Sequence, residues 1–122
     1  MRWGGLILLV GYSSGVDLGG VVFIETPSFV RTAGRVFDDD DLAALQTALM
    51  LRPSAGVVMP GTGGLRKLRV SARGHGKRGG ARVIYYWVQD DGRIFLLYAY
   101  AKNETSDITS AQARQLRSLV ED

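Results

Sequence analysis

The 122-residue chain contains no cysteine. That excludes a disulfide framework, a thiolate metal site and a cysteine nucleophile. It also fits a reducing compartment, and the cytoplasm is the expected location. A single histidine, His75, excludes a histidine-rich metal site and any paired-histidine acid–base chemistry. The run Leu6 to Val10 near the start holds five apolar residues. A membrane span needs about 20, and a signal peptide needs a longer apolar region with a small-residue cleavage site. Neither a membrane nor a secretory function is expected.

Acidic residues are missing where basic ones gather. Between Gly61 and Gln89 stand Arg66, Lys67, Arg69, Arg73, Lys77, Arg78 and Arg82, with no Asp or Glu. The whole chain has 15 Lys and Arg against 12 Asp and Glu, so the remainder carries eight basic and twelve acidic residues. A mildly acidic body therefore holds one strongly basic segment. That asymmetry points to a polyanionic partner.

The apolar content of 46% is that of a globular domain. Residues 1–20 are rich in Gly and Ser and are read as an extension or a start-site artefact, with Val16, Val21 or Val22 as alternative starts. The domain is placed at 21–122. Val21 to Ile24 is β-branched and aromatic and reads as a strand. Thr26-Pro27 opens a helix to about Val36, with Thr as N-cap and Pro at the first position. Asp38 to Asp41 suits the start of the next helix, where the macrodipole favours negative charge. Leu42, Leu45 and Leu49 form its apolar stripe, and it stops before Pro53. A loop spans 53–64. Strands follow over 65–72, 81–88 and 94–100, with Asp91-Gly92 as a hairpin signal. Thr109 and Gln112 make a capping box for a last helix from Ser110 to about Glu121. The expected fold class is α+β, in the order β-α-α-β-β-β-α: a small, antiparallel-rich sheet with helices packed on one face.

Side chains alternate along a strand. Lys67 and Arg69 point one way, Leu68 and Val70 the other, with Arg66 at the edge of the Leu68 face. Arg82 and Tyr86 share a face of the next strand. If the two strands pair, Lys67, Arg69 and Arg82 cluster. Three cations on one face repel one another unless an anion visits, and a phosphate backbone is the obvious visitor. A solvated basic face without a ligand is the alternative. Gly74 to Gly79 satisfies G-x-G-x-x-G, but a strand follows where a dinucleotide site requires a helix. The segment 73–80 reads as a basic loop that drapes over nucleic acid, with His75 as a solvated loop residue.

Three stretches are specific together: Gly61-Thr62-Gly63-Gly64-Leu65-Arg66-Lys67-Leu68-Arg69, Gly76 to Tyr86, and Leu96-Leu97-Tyr98-Ala99-Tyr100-Ala101-Lys102-Asn103-Glu104. In this order and spacing, over residues 21–122, the chain resembles the RelE superfamily of bacterial toxins, and within it the HigB-type branch. The resemblance implies the toxin of a type II toxin–antitoxin pair that cleaves mRNA in the ribosomal A site. The 2′-hydroxyl attacks the adjacent phosphate and leaves a 2′,3′-cyclic phosphate. The family's key basic residues fall on Lys67, Arg69 and Arg82. Lys67 is the expected general base, and Arg69 and Arg82 hold the phosphate. Arg66, Arg73, Lys77, Arg78 and Lys102 are expected to contact RNA or ribosome, and Tyr86 or Tyr100 to stack on a base. Asn103 and Thr109 stand where some relatives carry Arg and Tyr, so the leaving-group acid is open between Lys102 and a neighbouring arginine. The expected partner is an antitoxin with a helix-turn-helix domain. No cofactor and no metal is implied. Two other readings are a ParE-like toxin that poisons gyrase without hydrolysis and an inactive nucleic-acid-binding relict.

Overall fold

The computed structural model describes residues 6–7, 21–72, 80–103 and 107–120, with residues 6–7 described by their backbone alone. The basic loop positions Arg73, His75, Lys77 and Arg78, together with Glu104 and most of 1–20, lie outside the described residues.

Six strands form one mixed sheet: β1 (Leu6–Ile7), β2 (Val22–Glu25), β3 (Val57–Val58), β4 (Arg66–Val70), β5 (Ala81–Val88) and β6 (Arg93–Ala101). Their order is β1-β2-β6-β5-β4-β3. The β3-β4-β5-β6 portion is antiparallel, while β2 joins β6 in parallel. The two-residue strands β1 and β3 fall in segments read from the sequence as extension and loop. Each is an edge addition too short for any hydrophobic period to reveal.

Among the described residues, three helices accompany the sheet: α1 (Pro27–Ala33), α2 (Asp39–Leu51) and α3 (Ser110–Ser118). Their starts follow local chemistry. The Thr26 hydroxyl accepts from Phe29 N–H, Asp38 and Asp41 form a reciprocal capping box, and so do Thr109 and Gln112. Helix α1 ends at Gly34, about two residues before the expected Val36.

The expected α+β class holds, but the helices do not share one face. Phe29, Ala33, Leu42, Leu45 and Leu49 from α1 and α2 pack with Phe23, Val83, Tyr85, Ile94 and Leu96. On the opposite face, Ala113 and Leu116 of α3 pack with Leu65, Ile84, Phe95, Leu97 and Tyr100. The reason lies in β5 and β6. Both are apolar on each face, so a single helical layer would leave one face wet. Leu97 is an extra residue in β6, because Ile84 pairs with Tyr98 while Tyr85 pairs with Leu96. With this bulge, Leu97 and Tyr98 both lie on the α3 side.

Where β2 ends at Glu25, α1 takes over the exposed edge of β6. The Thr26 hydroxyl donates to the Leu96 carbonyl at 3.0 Å. The Thr32 hydroxyl accepts from the Ala99 N–H at 3.0 Å and donates to the Ser28 carbonyl at 2.8 Å. Buried backbone groups that would be orphaned are thereby satisfied. Thr32→Val keeps the shape but removes the acceptor. It should cost about 1–3 kcal/mol in urea unfolding, whereas Thr32→Ser should cost less.

Candidate RNA-binding site

The site grows from the pairing of β4 with β5. Arg69 lies directly opposite Arg82, and Lys67 opposite Ile84. Lys67, Arg69 and Arg82 therefore share one face, as the alternation in the sequence predicts, while Leu68 and Val70 pack toward α1 and α2. Arg82 is 7% exposed and donates to the Ala81 carbonyl at 3.2 Å. Arg69 is exposed. Lys102 arrives from the end of β6, where its N–H donates to the Gly80 carbonyl at 3.2 Å. Gly80 adopts φ +72°, and a Cβ there would lie 2.5 Å from the Val70 carbonyl oxygen. Only glycine fits where the chain enters β5.

Lys67, Arg69, Arg82 and Lys102 line a cavity of about 570 Å³ with Ala55, Val57 and Leu68. Among the described residues, no acid belongs to its wall. Arg69 and Arg82 stand directly opposite on neighbouring strands, where like charges repel, and an anion in the cavity would lower that repulsion. Arginine offers planar, paired donors to a phosphate.

Other expected contacts are placed elsewhere. Arg66 is on the α1–α2 face, donates to the Ser54 and Gly56 carbonyls at 3.2 and 2.8 Å, and stacks over Trp87 at 5.6 Å. The Tyr86 ring carries the Arg117 guanidinium at 4.6 Å, and Gly64 packs close to its edge. Arg117 in turn donates to the Gly63 carbonyl at 3.0 Å and ties α3 to the glycine-rich turn. These contacts give Arg66 and Tyr86 structural work. Tyr100 does reach the basic face, lying opposite Arg82 across β5 and β6, but it is 5% exposed.

The sequence passed over Asp107. Its Oδ2 accepts from Lys67 Nζ at 3.2 Å. Its Oδ1 accepts from the Tyr100 hydroxyl at 3.2 Å and the Ile108 N–H at 2.8 Å. Partial burial works against its charge, but the Ile108 N–H, Lys67 and Tyr100 outweigh it and hold the carboxyl below the usual carboxylate range. Burial, then the Asp107 charge and hydrogen bond, push the Tyr100 phenol up to about 12. Lys67 thus both lines the basic cavity and meets a carboxylate at its rim. Forty residues separate Lys67 from Asp107, and an aspartate just before a helix cap carries no local signal beyond the cap.

Residues 29–122, about three quarters of the chain, match the family model of the RelE toxin of the RelE/RelB toxin–antitoxin system. The chain belongs to the RelE family. It is thus a toxin of a toxin–antitoxin system, and membership implies a cognate antitoxin as partner. The match takes in β3 to β6, and so every residue of the basic cavity. Among the described residues, no group of three or more Asp, Glu or His is placed to hold a metal ion, and no helix is long and apolar enough to cross a membrane.

The Tyr100 phenol has a raised folded-state pKa, so folding favours its protonated form. Its contribution is complete below about pH 10 and is lost as pH rises through about 12. Urea titrations across that range should show a shallower alkaline fall in stability for Tyr100→Phe than for wild type.

Proposed function

We propose that this RelE-family toxin is an endoribonuclease that cleaves mRNA in the ribosomal A site. One observation supports the reading: four cations from β4, β5 and the end of β6 line a single cavity, and no acid among the described residues lines it with them. A phosphate of the RNA backbone enters that cavity. Lys67, Arg69 and Arg82 hold its non-bridging oxygens, and Lys102 lies beside it. When a 2′-hydroxyl attacks its own phosphate, negative charge builds on those oxygens. Preorganised donors in a partly buried site stabilise that charge more than they stabilise the ground state. The bond from phosphorus to the 5′-oxygen then breaks, leaving a 2′,3′-cyclic phosphate and a 5′-hydroxyl. The run from Leu96 to Glu104 supports placement in the HigB-type branch. The basic segment 73–79 supplies Arg73, Lys77 and Arg78 as contacts to flanking RNA or to the ribosome. A helix-turn-helix antitoxin is the partner that would restrain it.

Primer extension on a translated mRNA tests the reading. Inducing wild type should produce cuts. Arg69→Ala, at an exposed position that the fold tolerates, should reduce them by about 10²-fold, the scale of losing one charge-stabilising donor. Equal cutting by Arg69→Ala would remove the cavity from the reaction. Growth arrest with intact mRNA and damaged DNA would favour gyrase poisoning, and no arrest at all would favour an inactive relict.

Arg66 gives a contrasting expectation. Arg66→Ala loses two hydrogen bonds and the stack on Trp87, so its melting temperature should fall. The loss should be on the order of 1–2 kcal/mol, with cutting by the folded protein unchanged.

A further inference from the structure

The basic cavity has a neighbour. A second cavity, of about 320 Å³, is lined by Val57, Val58, Lys67, Asp107 and Thr109 among others. Lys67 is common to both walls. A carboxylate and a cluster of cations thus meet at one lysine, at the boundary between an anion-binding space and a space of mixed polarity. Cleavage by an internal 2′-hydroxyl can use that juxtaposition, with a cation on the phosphate and a carboxylate as acceptor for the hydroxyl proton.

We propose that Asp107 is the general base of the cleavage reaction, accepting the 2′-hydroxyl proton while Lys67 beside it holds the neighbouring phosphate. The inference rests on the endoribonuclease reading above. Three features of Asp107 support it. Its side chain is 49% exposed, so a substrate hydroxyl can approach. Two donors, Tyr100 and Ile108, converge on Oδ1, whereas among the described residues Oδ2 carries Lys67 alone. A carboxylate oxygen has two lone pairs, so Oδ2 keeps room for an incoming hydroxyl. The carboxyl is also held ionised, so it is open to a proton at neutral pH, while the donors that hold it so reduce its strength as a base.

The step balances as follows. The O2′–H bond breaks and its proton passes to Asp107. The electron pair freed on O2′ forms the O2′–P bond. The P–O5′ bond breaks, its electron pair leaves on O5′, and O5′ takes a proton from water. Asp107 then releases its proton to solvent, so no net oxidation or co-reactant is involved. Tyr100 acts as a positioning residue, fixing the carboxylate through Oδ1 without touching the RNA.

The test uses the full chain on ribosomes programmed with mRNA. Single-turnover cleavage is followed for wild type, Asp107→Asn and Asp107→Glu, with binding measured by co-sedimentation. Asp107→Asn should cleave about 10²–10⁴-fold more slowly with unchanged co-sedimentation. Its residual rate should climb about tenfold per pH unit as hydroxide takes over the base role, while wild type stays flat near neutrality. Asp107→Glu, which keeps a carboxylate and serves if the amide variant folds poorly, should recover part of the rate. Cleavage by Asp107→Asn at the wild-type rate would overturn the inference. So would faster cleavage with tighter binding, which would mean that Asp107 only plugs the phosphate position in the free protein. If wild type fails to cut, the nuclease reading itself falls, and this inference with it.

Discussion

Two arginines held at directly opposite positions of β4 and β5, Arg69 and Arg82, are the constraint around which this domain is organised. Cations facing across adjacent strands destabilise a sheet. Removing one of them almost wholly from water, as with Arg82, adds a further desolvation cost. Such a pair survives only where the surrounding structure over-determines the backbone. Here β5 is central, hydrogen-bonded on both sides, with α1 and α2 packed beneath it and α3 above. The core is thus more than filler for a small protein. It is the frame that keeps like charges at fixed spacing when they would otherwise part.

The opposite charge is supplied sparingly. Asp107 meets the cluster at its rim, through Lys67, and among the described residues no acid lines the basic cavity. Tyr100 connects the two parts. Its ring belongs to the α3-side core while its hydroxyl reaches Asp107, so packing of the apolar layer sets the position of a polar group at the surface. Arg117 does comparable work at the far end, covering Tyr86 and tying α3 to the turn before β4. Among the described cations, Arg66 and Arg117 thus brace the fold through carbonyls and aromatic rings, while Arg69 stands exposed.

That division explains what could and could not be read in advance. Helix starts were legible because caps are local: Thr26-Pro27, Asp38 with Asp41, and Thr109 with Gln112 each act within a few residues. The common face of Lys67, Arg69 and Arg82 was legible because strand alternation is also local, and one hairpin pairing completes it. Roles set by distant partners were not. Arg66 and Tyr86 look like ligand contacts until the Ser54 and Gly56 carbonyls and Arg117 are seen against them. Asp107 is silent until β4 is brought alongside the start of α3. The placement of α3 on its own side of the sheet was hidden as well. Continuous apolar strands announce burial on both faces but do not say which helix covers which.

The extra residue Leu97 gives β6 one residue more than its partner, so that Leu97 and Tyr98 both lie on the α3 side. Without it, Leu96 would still face Tyr85 and Tyr98 would still face Ile84, now in plain alternation, and Tyr100 would keep its side and its reach to Asp107. A deletion here would instead take a fully buried side chain out of the α3-side core and straighten the local bend that a bulge gives its strand.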